Sequence, residues 1–227
     1  MFNEKLYYVY DDVIDKNLQD EIESRFLKPD INWFYHNVTT DLPEKDDKFY
    51  HFKKNNEDFF DGPQFVHMLY TKATGVKSPH IHYAETIFKS IMNKFELGLK
   101  ITVTRIKANL QTSLVGADNN KYTAPHCDED GKHYVLLYYI NDSDGDTFLF
   151  ENDENKKLKK GEKLKVLKRI TPKKGRAVLF DGSILHASSI PVNSKHRMVF
   201  NIDFGVERTG DTESYNPLLS LRGLNIQ

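Results

Sequence analysis

Three short apolar runs lie in the stretch RAVLFDGSILHASSIPVNSKHRMVFNIDF, from Arg176 to Phe204. They are rich in β-branched and aromatic residues, and Gly, Asp, Pro and Asn separate them. Short runs of this kind, broken by such residues, are typical of strands joined by turns. The stretch therefore predicts consecutive strands of a β-sandwich or a β-barrel.

The same character extends back to about Leu99, in the runs KITVTRIKANL, HYVLLYYIN, DTFLFEN and KLKVLKRI. Before Leu99, two segments show helical periodicity. Asp15 is placed to cap a helix over KNLQDEIESRFL, and Ser78 to cap one over SPHIHYAETIFKSIMNKFEL. We therefore predict an α+β fold, mainly β, in which N-terminal helices support a β-sandwich.

Length and composition fit one domain and give no sign of a nucleic-acid or membrane partner. Of 227 residues, 39% are hydrophobic and 12% aromatic, which is enough for a real core. The net charge of −1 gives no reason to expect nucleic acid, and no run approaches the roughly 18 apolar residues of a membrane helix. The single cysteine, Cys127, excludes an intramolecular disulfide. We expect a cytoplasmic protein that binds neither membrane nor nucleic acid.

A His-x-Asp pair precedes one of the predicted strands, in YTAPHCDEDGKHYVLLYYIND from Tyr122 to Asp142. His126 and Asp128 are two residues apart, so in extended chain their side chains share one face. Such a pair can bind a metal, relay a proton or form a hydrogen bond. Cys127 would face the other way and pack.

Two further residues make metal chemistry the favoured interpretation. His186 follows an Asp-Gly turn, and two His with one carboxylate form a set that leaves three positions open on Fe(II). Arg197 lies on the next predicted strand, and its planar guanidinium suits a carboxylate.

These pieces together resemble the Fe(II)- and 2-oxoglutarate-dependent oxygenases, especially the prolyl 4-hydroxylase-like group. The matching stretches are PHCDED, LLYYINDSDGDTFLFE and PKKGRAVLFDGSILHASSIPVNSKHRMVFNIDF, in matching order and spacing, within residues 100–204. The resemblance implies a double-stranded β-helix, a distorted jelly roll. Residues 1–227 would be one oxygenase domain, with a supporting part over 1–99, a catalytic core over 100–204 and a tail over 205–227.

The resemblance also implies roles for individual residues. His126, Asp128 and His186 would hold iron, and Arg197 would bind the distal carboxylate of 2-oxoglutarate. The other positions that match cosubstrate-binding residues are Tyr139, whose hydroxyl would bind it, and Asn109, where many relatives have a Tyr. A Gly-Gly-x-Thr turn of relatives corresponds here to Asp144, Gly145, Asp146 and Thr147, with Asp in place of the first Gly.

The implied activity is hydroxylation of an unactivated C–H bond with Fe(II), 2-oxoglutarate and O₂, and with ascorbate as an optional reductant. The best guess for the substrate is a prolyl residue in a peptide or protein. The alternatives are a small molecule, such as a free amino acid or metabolite, and a non-catalytic β-helix domain that keeps a metal. The sequence makes no prediction of oligomeric state.

Two segments have open interpretations. Residues 42–61 are acidic and aromatic, and we interpret them as a lid over the site; the alternative is permanent packing on the helices. The Lys-rich residues 156–169 read as a solvated hairpin edge, and the alternative is a surface for an acidic or phosphorylated substrate.

Overall fold

The structure is a computed structural model that describes residues 6–40, 58–94, 99–151 and 164–208. The described residues form two helices, α1 (Lys16–Phe26) and α2 (Ile81–Met92). The strands are β1 (Tyr7–Tyr10), β2 (Phe34–His36), β3 (Gln64–Thr71), β4 (Gly75–Val76), β5 (Leu99–Thr112), β6 (Tyr134–Tyr139), β7 (Thr147–Phe150), β8 (Val166–Ile170), β9 (Ala177–Asp181), β10 (His186–Ser188) and β11 (His196–Arg208).

The strands form two antiparallel sheets that face each other across a core. The larger sheet has the order β1-β9-β6-β11-β5-β3-β2, with β4 paired to β3, and the smaller has the order β10-β7-β8. One core cluster joins Leu149 of β7 and Ile170 of β8 to residues of β6, β9 and β11. A second cluster joins both helices to the opposite face of the larger sheet. The layers are therefore helices, large sheet and small sheet, as predicted.

Strand β6 shows why its sequence, YVLLYY, is apolar throughout. Tyr134, Leu136 and Tyr138 pack toward the helices. Val135, Leu137 and Tyr139 pack between the two sheets. Because side chains alternate along a strand, a strand covered on both faces needs apolar residues at nearly every position.

The two helices begin differently. Asp15 caps α1 as predicted, since its Oδ1 accepts the N–H of Leu18 at 3.0 Å. The prediction that Ser78 caps α2 is wrong, because α2 begins at Ile81. Ser78 Oγ instead accepts the N–H of His80 at 3.2 Å and lies 2.8 Å from Nε2 of His67, which ties the segment before α2 to β3.

The N-terminal part contributes strands as well as helices to the fold. Strand β1 pairs with β9 at one edge of the large sheet, and β3 pairs with β5. Strand β3 was missed in the sequence because its alternation is irregular and a register shift lies between Met68 and Tyr70. Neither helix of the described part of the chain is long and apolar enough to cross a membrane.

The two segments with open interpretations lie largely outside the described residues. The description excludes residues 41–57, which are most of the predicted lid, and residues 152–163, which include the first half of the Lys-rich segment. The Lys-rich hairpin is described at β8, an edge strand whose residues are mostly exposed. Residues 209–227 of the predicted tail are also outside the description.

Candidate active site

His126, Asp128 and His186 converge between the two sheets. His126 and His186 form an antiparallel bridge, in which each backbone N–H donates to the other residue's carbonyl at 3.0 Å. This bridge brings the ring centres to 4.5 Å. Oδ2 of Asp128 lies 3.1 Å from Nε2 of His186, and the potential ligand atoms of all three lie within 4.8 Å of one another. One ion could therefore contact all three side chains.

Hydrogen bonds to backbone carbonyls orient both imidazoles. Nδ1 of His126 lies 2.9 Å from the carbonyl of Ala124, and Nδ1 of His186 lies 3.2 Å from that of Ile184. A carbonyl can only accept, so each Nδ1 carries a proton, and in a neutral ring Nε2 is then the nitrogen whose lone pair can bind a metal. Metal-binding histidines are commonly fixed in this way.

The ionisation states also suit a cation. Burial, followed by the neighbouring His186, lowers the pKa of His126 to about 4, so this ring is neutral at pH 7. Burial alone would raise the pKa of Asp128, but Lys107 and His186 outweigh it and hold that pKa well below its usual range. Neutral imidazole and ionised carboxylate are the forms that bind metals.

A polar network surrounds Asp128. Nη2 of Arg105 donates to its Oδ1 at 2.7 Å, and Nδ2 of Asn201 donates to its Oδ2 at 3.0 Å. Nε of Arg105 also donates to Oδ2 of Asp203 at 2.8 Å. Burial, then repulsion by Asp128, raises the pKa of Asp203 to about 7. Nζ of Lys107 lies 3.6 Å from Oδ1 of Asp128.

A pocket extends from the histidines to Arg197. Its lining includes Lys107, Asn109 and Gln111, which alternate along β5 and share one face of that strand. The other lining residues are Thr39, Gln64, His126, Leu137, Thr147, His186, Ala187, Ser188, Arg197, Val199 and Asn201. The pocket is thus polar along β5, with a short apolar wall from Leu137 and Val199.

Arg197 forms the far end of this pocket. Its side chain is buried, Nε donates to the carbonyl of Gly145 at 2.7 Å and Nη2 donates to Oγ1 of Thr147 at 2.9 Å. Nη1 reaches Oε1 of Gln111 at 3.3 Å. The hydroxyl of Tyr139 donates to Thr147 at 2.8 Å, and its ring centre lies 5.7 Å from Cζ of Arg197.

The turn that departs from the family pattern is explained by its contacts. The carboxylate of Asp144 accepts backbone N–H groups of the loop before β11, from Val192, Asn193 and Ser194. A Cβ at Gly145 would lie 2.8 Å from the carbonyl oxygen of Ser189. Position 145 therefore has no room for a side chain, whereas position 144 uses one to hold the β10–β11 loop.

All six residues predicted for the site lie in or around the pocket. Asn109 lines it, and its Oδ1 has no partner among the described residues. The sequence did not predict the polar residues that alternate with buried apolar residues along β5 and β11 near the site, namely Arg105, Lys107, Gln111, Asn201 and Asp203. The available signal was the alternation of polar and apolar residues in TRIKANLQ. Cys127 is exposed, so the prediction that it packs is wrong.

Comparison with known proteins identifies the fold. No protein-family model matches the sequence, and no curated protein matches it. An oxidoreductase of the 2OG-Fe(II) oxygenase family from Burkholderia pseudomallei is similar in structure, with 9% identity and a TM-score of 0.57 over 92% of this chain and 89% of that chain. The chain has the fold of the 2OG-Fe(II) oxygenases.

Two further solved structures with this fold differ in what they bind. HygX from Streptomyces hygroscopicus, solved with nickel and 2-oxoglutarate, has 9% identity and a TM-score of 0.53 over 90% of this chain and 84% of that chain. A prolyl hydroxylase from Trichoplax adhaerens, in complex with a hypoxia inducible factor peptide fragment, has 14% identity and a TM-score of 0.52 over 89% and 84%. The fold of the 2OG-Fe(II) oxygenases thus accommodates both small-molecule and peptide ligands.

Proposed function

We propose that the protein is an Fe(II)- and 2-oxoglutarate-dependent dioxygenase that hydroxylates an unactivated C–H bond. The observation that carries the proposal is one pocket that is lined by His126 and His186, with Asp128 beside them, and by the buried Arg197. A metal and a dicarboxylate could be bound together in such a pocket.

The residues present fit both groups. Two imidazole nitrogens and one carboxylate oxygen are a donor set typical of non-haem Fe(II) with open positions. At the other end, Nε2 of Gln111 is buried and has no partner among the described residues. An unpaired buried donor beside the Arg197 guanidinium is costly unless an acceptor such as a carboxylate occupies the pocket.

His126, Asp128 and His186 would hold Fe(II), and Arg197 would bind the distal carboxylate of 2-oxoglutarate. When bound, Fe(II) and 2-oxoglutarate would supply oxidative decarboxylation with O₂, which yields succinate, CO₂ and one oxygen atom for the substrate. Thr147 orients the guanidinium of Arg197, because its Oγ1 accepts a hydrogen bond from Nη2 of Arg197. Tyr139 supports this arrangement, because its hydroxyl donates to the same Oγ1. Leu137 and Val199 would give the bound cosubstrate an apolar wall.

The substrate that follows from the resemblance is a prolyl residue of a peptide or protein. A small polar molecule is the second candidate, and one observation favours it: Lys107 and Asn109 of β5 and Asn201 of β11 line the pocket. An apolar pyrrolidine ring would offer no donor to Oδ1 of Asn109 or Oδ1 of Asn201, which have no partner among the described residues. A cytoplasmic location remains part of the proposal, as does the organisation of residues 1–227 as one oxygenase domain.

Succinate release and O₂ uptake test the activity. The Fe(II)-loaded protein is given 2-oxoglutarate and then proline-containing peptides or small polar metabolites, with Asp128→Ala as the control. We expect succinate release and O₂ consumption in equal amounts. A productive substrate should stimulate both, and Asp128→Ala should abolish both. Metal binding without any consumption of 2-oxoglutarate would contradict the proposal and favour a non-catalytic metal-binding domain.

A further inference from the structure

Asp203 is a buried acid that the proposed reaction does not use. Its side chain is 0% exposed, and it lies in β11 directly opposite Arg105 of β5. A carboxylate in such a place costs free energy unless a cation pairs with it. Arg105 is that cation, because its Nε donates to Oδ2 of Asp203 at 2.8 Å.

Arg105 also holds one oxygen of Asp128. Its Nη2 donates to Oδ1 at 2.7 Å, so a single guanidinium bridges the two carboxylates. The other oxygen, Oδ2, accepts from Nδ2 of Asn201 at 3.0 Å and lies 3.1 Å from Nε2 of His186. Oδ2 is therefore the oxygen on the side where the histidines converge, whereas Oδ1 is held by Arg105.

The pairing with Asp203 makes this arrangement rigid. A guanidinium is a planar fork, so turning it away from Asp128 would also break its bond to Asp203. A carboxylate that is free to rotate can bind a cation through one oxygen or through both. Binding through both would occupy a coordination position that the cosubstrate or O₂ needs.

We propose that Arg105, anchored by Asp203, is a positioning residue that restricts Asp128 to binding a metal through Oδ2 alone. This inference rests on the proposed function, since it concerns the same metal site. It assigns a role to a pair of residues on β5 and β11 that do not themselves contact the ion.

The test uses Co(II), whose visible absorption spectrum reports its coordination. Anaerobic titration of the full chain is followed by calorimetry and by absorption, before and after 2-oxoglutarate is added. Arg105→Lys keeps the charge and loses the fork. We expect a loss of Co(II) affinity of about 10- to 100-fold, as is usual for residues that orient ligands, together with a changed spectrum and weaker 2-oxoglutarate binding.

Two variants separate this role from charge and from folding. Lys107→Met removes a cation 3.6 Å from the same oxygen, and we expect a smaller loss of affinity and an unchanged spectrum. Arg105→Gln/Asp203→Asn leaves no unpaired buried charge, so it should fold, and it should reproduce the Arg105→Lys spectrum. Co(II) affinity within about threefold of the wild type and an unchanged spectrum in both Arg105 variants would overturn the inference. If the wild type binds no Co(II), the proposed function itself fails.

Discussion

Arg197 is the residue whose surroundings say most about the cosubstrate. A buried guanidinium is stable where acceptors meet its N–H groups. Gly145 and Thr147 accept from Nε and Nη2, but Nη1 meets Gln111 at 3.3 Å, and Nε2 of Gln111 is a further unpaired donor. This end of the pocket therefore holds more donors than acceptors, which a carboxylate would balance.

Arg197→Lys should weaken 2-oxoglutarate strongly while metal remains bound. An ammonium cannot reproduce the fork, and the loss of a hydrogen bond to a charged group costs about 1.5–3 kcal/mol. Calorimetric titration of 2-oxoglutarate into the Mn(II)-loaded variant measures the change. Arg176→Lys is the matched control, because Arg176 pairs with Asp11 outside the pocket. An unchanged affinity in Arg197→Lys would mean that the distal carboxylate binds elsewhere.

At the scale of elements, the loop between β10 and β11 depends on a charge in another turn. The backbone N–H groups of Asn193 and Ser194 outweigh the effect of burial and lower the pKa of Asp144 to about 2, from its usual 3.8. The folded state therefore favours the ionised form. The stability that this ionised form contributes is fully present above about pH 4 and is lost as the pH falls toward 2.

Asp144→Asn should accordingly lower the free energy of unfolding more at neutral pH than in acid. The carboxamide keeps the shape of the side chain and loses the charge that the backbone N–H groups stabilise. Urea unfolding of the wild type and the variant at about pH 7 and about pH 3 compares the two states. We expect the difference to shrink at the lower pH; a difference that stays constant would show that the charge does not matter.

The helices stabilise the large sheet through a few buried aromatic residues. Phe26 of α1 is 1% exposed, and its ring centre lies 5.0 Å from that of Phe200 on β11. Phe26→Ala should lower the free energy of unfolding by about 3–5 kcal/mol, because it leaves a cavity. Leu27→Ala, at a side chain that is 51% exposed, is the control and should change it by less than about 1 kcal/mol. Equal effects in urea unfolding would contradict this packing.

For the whole molecule, the sequence predicts elements better than the contacts between them. The strands from β5 to β11 were predictable because their apolar runs are separated by turn residues. His126 and Asp128 were predictable as a pair because they are neighbours in the chain. The Arg105–Asp203 pair was not, because it depends on the register of β5 against β11, with almost a hundred residues between them.

The contacts between N-terminal residues and the site were also not predictable from the sequence. Oγ1 of Thr40 lies 3.1 Å from Nδ1 of His126, and Gln64 lines the pocket. Both lie outside residues 100–204, the range over which the sequence resembles the oxygenases. Their positions depend on the pairing of β2 with β3 and of β3 with β5, which local sequence patterns do not specify.

The most direct test of the metal site is an anaerobic calorimetric titration of Mn(II) into the wild type and into His186→Ala. We predict that the wild type binds one ion per chain and that the variant shows no measurable binding at that site. His82→Ala, which removes an exposed histidine of α2, should bind as the wild type does. One-to-one binding of undiminished affinity in His186→Ala would show that the metal is not held by His126, Asp128 and His186.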